Sequence, residues 1–264
     1  MFSRYRVCAA LLCLAALASA QSAEAINIGS LSVSTPLGNP AIYQTLPTVT
    51  LNSGDVGQSF MANWLLPTTA SGISTDLKAT GTFTVTSFNS SDLRLNVTLT
   101  NTTSAAFQAA LMSLGINATP NAVVSIAVPG AIFDGASTGN GPNQTFPGGF
   151  KNIDVGAYAA NNLNGGNINQ GLQSGGQTDT FTLDLAGNFG LTPLVTLDTF
   201  AVKYQTQAGS FELPAGSLSV VTPPITTENN PPPTSDVPEP GALAFLVGIG
   251  AGSFAYTCRR LRRR

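Results

Sequence analysis

Along the middle of the chain, apolar and polar residues alternate with a period of two. Within residues 93–100 (LRLNVTLT), Leu93, Leu95, Val97 and Leu99 face one way, and Arg94, Asn96, Thr98 and Thr100 the other. That alternation predicts a half-buried antiparallel strand. Residues 83–88 (FTVTSF) have the β-branched and aromatic composition of a strand. Asn89-Ser90-Ser91-Asp92 between the two reads as a hairpin turn. Residues 123–128, 180–185, 194–205 and 217–221 are further predicted strands. One stretch follows a different period. Ser104 stands as an N-cap, Phe107, Ala110, Leu111 and Leu114 keep helical spacing, and Gly115 occupies the C′ position. The expected fold is mainly β: an antiparallel β-sandwich with one short helix.

Between Asp134 and Asp179 the alternation lapses into Gly, Asn and Gln. With few side chains to bury, this stretch is expected to form long surface loops. Tyr158, Asn161 and Asn162 make a candidate ligand loop, with amides to hydrogen-bond sugar hydroxyls and an aromatic platform. Phe146 and Phe150 are further platform candidates, or the cores of their loops.

The pattern changes again at both ends. Arg4 and Arg6 precede an apolar run of 11 residues, 7–17, too short to span a bilayer comfortably. Ala18-Ser19-Ala20 and Ala23-Glu24-Ala25 follow as small-residue cleavage sites, so residues 1–25 read as a signal peptide. Residues 26–221 form the exported domain. Residues 222–236 carry five prolines and almost nothing apolar, the composition of an extended spacer. Residues 237–264 combine Pro238-Glu239-Pro240, an uncharged stretch of 18 residues at 241–258, and Arg259, Arg260, Arg262, Arg263 and Arg264. As a transmembrane helix the stretch would be about 27 Å long, close to a hydrocarbon core of about 30 Å. The arginines act as the membrane stop, holding the tail on the cytoplasmic side and the domain outside.

Charge narrows the chemistry. Only 9% of the 264 residues are charged. Residues 21–237 hold four basic against 12 acidic side chains, a net charge of 4 − 12 = −8, which disfavours nucleic acid as a partner. Histidine is absent, and Cys8, Cys13 and Cys258 all lie in the terminal segments. The domain therefore has no Cys/His zinc site and no Ser-His-Asp or Cys-His catalysis. Its carboxylates fall in no recognisable catalytic or calcium-binding motif. Asp134 and Asp154, which flank the polar stretch, are the best placed to contribute to an oxygen-ligand site. The expectation is a non-enzymatic protein with no catalytic residues, no metal and no cofactor.

The order Pro238-Glu239-Pro240, apolar span, arginine cluster resembles the PEP-CTERM sorting signal of Gram-negative bacteria, over about 28 residues. The resemblance implies an exosortase-type membrane protease that recognises Pro238, Glu239 and Pro240, and a transient stay in the inner membrane. It also implies a final place at the cell surface or in an extracellular, biofilm-associated matrix, with exopolysaccharide as a candidate partner. Residues 146–183, followed by TLDTFAVKYQ and GSFELPAG, are similar to the cistern subfamily. Relatives there often carry a cysteine pair near the positions of Gly156 and Leu163; this chain has none. The functional expectation is a structural or interaction protein, with a carbohydrate-binding module as the alternative.

Overall fold

The computed structural model describes residues 26–139, 146–150 and 153–222. The expected signal peptide, the spacer beyond Thr222, the PEP motif, the 241–258 span and the arginine cluster lie outside the described residues. Among the described residues no helix is long and apolar enough to cross a membrane.

The strands in chain order are β1 (Asn27–Leu37), β2 (Tyr43–Asn52), β3 (Ser59–Leu66), β4 (Leu77–Phe88), β5 (Asp92–Asn101), β6 (Ala109–Thr119) and β7 (Ala122–Val128). They continue with β8 (Gly135–Thr138), β9 (Val155–Tyr158), β10 (Leu172–Gln173), β11 (Gln177–Gly187), β12 (Leu194–Thr206), β13 (Gly209–Pro214) and β14 (Ser217–Val221). They form two sheets. Sheet A runs β1-β2-β12-β6-β9-β8, with β10 also on β6 and β13 also on β12. Sheet B runs β14-β3-β4-β5-β11-β7. Every ladder is antiparallel.

The alternation read in the sequence sets the central hairpin. Leu93, Leu95, Val97 and Leu99 are fully buried, opposite Phe83 and Val85 of β4. Asn89 closes the turn, its Oδ1 accepting from the N–H groups of Ser91 and Asp92 at 2.8 and 2.9 Å. One core lies between the sheets. Phe60 and Phe83 stack with centroids 5.0 Å apart, and Phe200 of sheet A meets them edge-on at 5.8 and 5.5 Å. Each such ring, removed from water, stabilises the fold by roughly 1.5–3 kcal/mol. Trp64 crosses the same core and donates from Nε1 to the Phe200 carbonyl at 2.6 Å.

The expected helix after Ser104 is not formed; residues 109–119 are β6, the centre of sheet A. Ser113 faces Lys203 but Leu111 faces Tyr204, so Met112 is an extra residue in the ladder, a β-bulge. The bulge shifts the inward parity. Leu111 on one side of it and Leu114 on the other both reach the core, which reproduces helical i, i+3 spacing in an extended chain. Burial on both faces removes the alternation that would have betrayed a strand. The described helical structure is a single α-turn at Thr68–Ser71 and two short 3₁₀ turns.

The Gly/Asn-rich stretch departs from expectation in part. Residues 159–171 are irregular and mostly exposed or half-buried, as expected of a surface loop. But β8, β9 and β10 join sheet A itself, and the segments around Phe146, Phe150, Ile153 and Leu163 cover part of its outer face around a small core. These four side chains pack there against Ala201 of β12. The covering layer is bonded to the sheet beneath. Ser113 Oγ donates to the Leu163 carbonyl at 3.0 Å, and Ala159 N–H to the Met112 carbonyl at 2.9 Å. Glycine permits the contact at two points. A Cβ on Gly115 would meet the Phe146 ring at 2.8 Å, and one on Gly148 (φ +75°) would meet Glu212 at 2.5 Å. Beneath the layer, Lys203 Nζ pairs with Glu212 Oε1 at 2.6 Å, both side chains buried.

Candidate functional site

Sheet A opens on its outer face where two ladders part. β12 pairs with β2 from Leu194 to Asp198, then takes β13 as neighbour from Ala201. The change is made by Thr199 and Phe200, at φ +72° and +32°. Both are non-glycine residues in a region that L side chains rarely adopt, a cost that persists only where the surroundings hold it. Here the Phe200 carbonyl is held by Trp64 Nε1–H and by the Ala215 N–H. On the far side, β1 leaves the register of β2 after Ser32 and regains it at Leu37.

Between these two departures lies a groove of about 540 Å³. Its apolar lining includes Leu31, Val33, Leu46, Phe150 and Ile153, of which Leu46, Phe150 and Ile153 are themselves almost fully buried. Its polar lining includes Asn117, Asp198 and Thr199. Asp198 is only 7% exposed. Its Oδ1 accepts from Thr199 Oγ1 at 2.6 Å, and its Oδ2 from Asn117 Nδ2 at 3.1 Å. The strained backbone at Thr199 thus sets a hydroxyl that fixes the carboxylate. A carboxylate has about four lone-pair sites, so Asp198 keeps acceptor capacity toward the groove.

Asp154 adjoins this corner. Burial pushes its carboxyl above the usual range, the Ala118 N–H bond to Oδ2 at 3.2 Å opposes this, and the charge of Asp198 raises it further. Asp154 does not line the groove, so the two acids do not converge on one ligand position. Asp134, the other acid that flanks the polar stretch, is exposed. Among the described residues no three metal-type side chains gather.

Other acids have structural partners. Asp179 accepts from the N–H groups of Ala131, Ile132 and Phe133 at 2.9, 3.0 and 2.7 Å. Asp184 pairs with Arg94 at 3.0 Å on the outer face of sheet B.

Of the sequence-based candidates, Tyr158 ends β9 and packs half-buried against the small core. Asn161 is exposed in the following turn. Asn162 accepts from Asn164 N–H at 2.8 Å, which shapes that turn. None of the three lines the groove. Phe146 and Phe150 are 1% and 2% exposed and meet edge-on at 5.9 Å, so neither presents an open platform. Phe150 nevertheless contributes its share of the groove wall. Sequence reasoning did not single out Asn117, Asp198 and Thr199 as a group. Nothing in their spacing joins residues 81 positions apart; the β6–β12 ladder does. Comparison with protein-family models, with curated proteins and with solved structures finds no match.

Proposed function

We propose that this is an exported protein of the cell surface or extracellular matrix that works by binding, and that it is sorted through Pro238-Glu239-Pro240. The observation that carries the proposal is the layout of the chain. An arginine-led apolar run with small-residue cleavage sites stands at one end, and a PEP motif, an apolar stretch and an arginine cluster at the other. Between them lies an antiparallel, sandwich-like all-β domain. The partners are an exosortase-type protease and, transiently, the inner membrane. Mass spectrometry of the secreted or surface fraction of the native host tests it. The expected product ends near Pro238-Glu239-Pro240; a mature protein that keeps the Arg259–Arg264 tail overturns the sorting step.

A second reading is a carbohydrate-binding module for exopolysaccharide. It is favoured by the groove on sheet A, which combines an apolar lining with a fixed carboxylate–amide pair.

A further inference from the structure

The groove's chemistry is more selective than its size. Its inner polar groups present mainly acceptors, with the second Asn117 amide hydrogen as a donor. Asp198 has two carboxylate oxygens with capacity to spare, and among the described residues the Asn117 Oδ1 accepts no hydrogen bond. Asn117 turns one amide hydrogen to Asp198, and Thr199 gives it the hydroxyl proton. An occupant must therefore bring donors inward. It must also present an apolar surface to the accessible carbon side chains of the lining, Leu31 and Val33. At the mouth, the exposed Ser34 and Thr35 offer hydroxyls that both donate and accept.

Donors on one edge, carbon-bound hydrogens on a face and adaptable hydroxyls beyond are the surface of a pyranose. A space of about 540 Å³ falls in the range of ligand pockets, roughly 300–1,000 Å³, and suits one or two sugar rings. Charge excludes a neighbouring class. Asp198 faces the groove and Asp154 stands behind it, and among the described lining residues none is cationic. A carboxylate-bearing sugar would place like charges together without a partner.

We infer that this groove binds a neutral saccharide unit, with two hydroxyls donating to Asp198 and Asn117 and the ring's apolar face against Leu31 and Val33, and that it discriminates against uronic acids. This rests on the binding reading of the exported domain and not on the sorting step. Thr199 is a positioning residue, since its hydroxyl fixes Asp198.

The experiment uses the full chain in detergent, titrated by calorimetry and by amide-resonance shifts. The probes are a panel of neutral gluco-, galacto- and manno-disaccharides, digalacturonate, and calcium alone. At least one neutral disaccharide is expected to bind saturably and to shift the resonances of Asn117 and Asp198, with digalacturonate at least about tenfold weaker. Asp198→Asn is expected to weaken the neutral sugar about tenfold, the size of one hydrogen bond to a charged group. Ser34→Trp, at the exposed rim, blocks the groove without touching the core. It is expected to abolish binding at an unchanged Tm, and so decides the matter if Asp198→Asn fails to fold. Thr98→Ala, on the outer face of sheet B, is expected to bind as the parent does. The inference is overturned if no neutral disaccharide binds, if digalacturonate binds as well as the neutral sugars, or if calcium alone shifts the same resonances. It is also overturned if Ser34→Trp leaves binding intact. None of these outcomes bears on where the mature chain ends.

Discussion

On the outer face of sheet B, residues of neighbouring strands satisfy one another. Thr98 bonds to Thr180 and Thr100 to Thr178, each at 2.9 Å, and Ser59 to Thr84 at 2.8 Å. The outer face of sheet A carries Ser113, Gly115, Lys203 and Glu212, and a further layer of chain lies over them. Sheet B therefore needs nothing on top of it. Threonine is a good strand former, and its hydroxyls pair across the ladder or reach water. Sheet A has buried an ion pair and a serine hydroxyl that must be answered from above. The same fold thus finishes one face with side chains alone and the other with backbone, and the groove described above lies on the second.

This contrast can be broken from either side. The largest effect is expected from Glu212→Ala, which strands the Lys203 ammonium beneath the layer. Removing one partner of a buried pair costs roughly 3–5 kcal/mol, read as a fall in the denaturant midpoint. An effect below about 1 kcal/mol would mean that water reaches Lys203. Gly115→Val comes next, since its Cβ would enter the Phe146 ring. Overpacking of this kind costs about 1–3 kcal/mol, and amide exchange should quicken at Ala159 before it does in β4 and β5.

A smaller effect is expected from Asp154→Asn, and it depends on pH. The folded protein holds the Asp154 proton more tightly than the unfolded chain, whose value lies near 3.8. Stability from this group is therefore greatest below that value and declines as pH rises through the folded one. The variant should remove that decline and be the more stable protein at neutral pH; thermal melts between acid and neutral pH decide it. Smallest of all is Thr98→Val on the bare face, expected to change stability by no more than about 0.5 kcal/mol. A larger loss would show that the threonine pairs bind the sheet together more tightly than exposed hydroxyls usually do.

Sheet B was legible because its strands are half-buried. Leu93 to Leu99 alternate with Arg94 to Thr100, and the β4–β5 hairpin and β11 follow from that pattern. Sheet A was less so, because β6 is buried on both faces and a bulge at Met112 gives its leucines the spacing of a helix. The part of the Gly/Asn-rich stretch that covers the sheet is hard to tell from its exposed loop for a related reason. Glycine and asparagine mark loops when the chain faces water, but the same glycines are needed where backbone lies against a sheet, as Gly115 and Gly148 do against their partners. The groove was invisible in the sequence. Asp198 appeared only as one acid among many, and what sets it apart is the positive φ of Thr199 and the ladder that brings Asn117 beside it.

The chain has a single tryptophan, and Trp64 hands its indole proton to the carbonyl of Phe200. That carbonyl belongs to the corner that shapes the groove from behind. The protein therefore carries a built-in optical reporter. Its emission should follow any shift of that corner, so that occupancy on the outside of one sheet can be watched as a change of colour from the inside of the other, without a label.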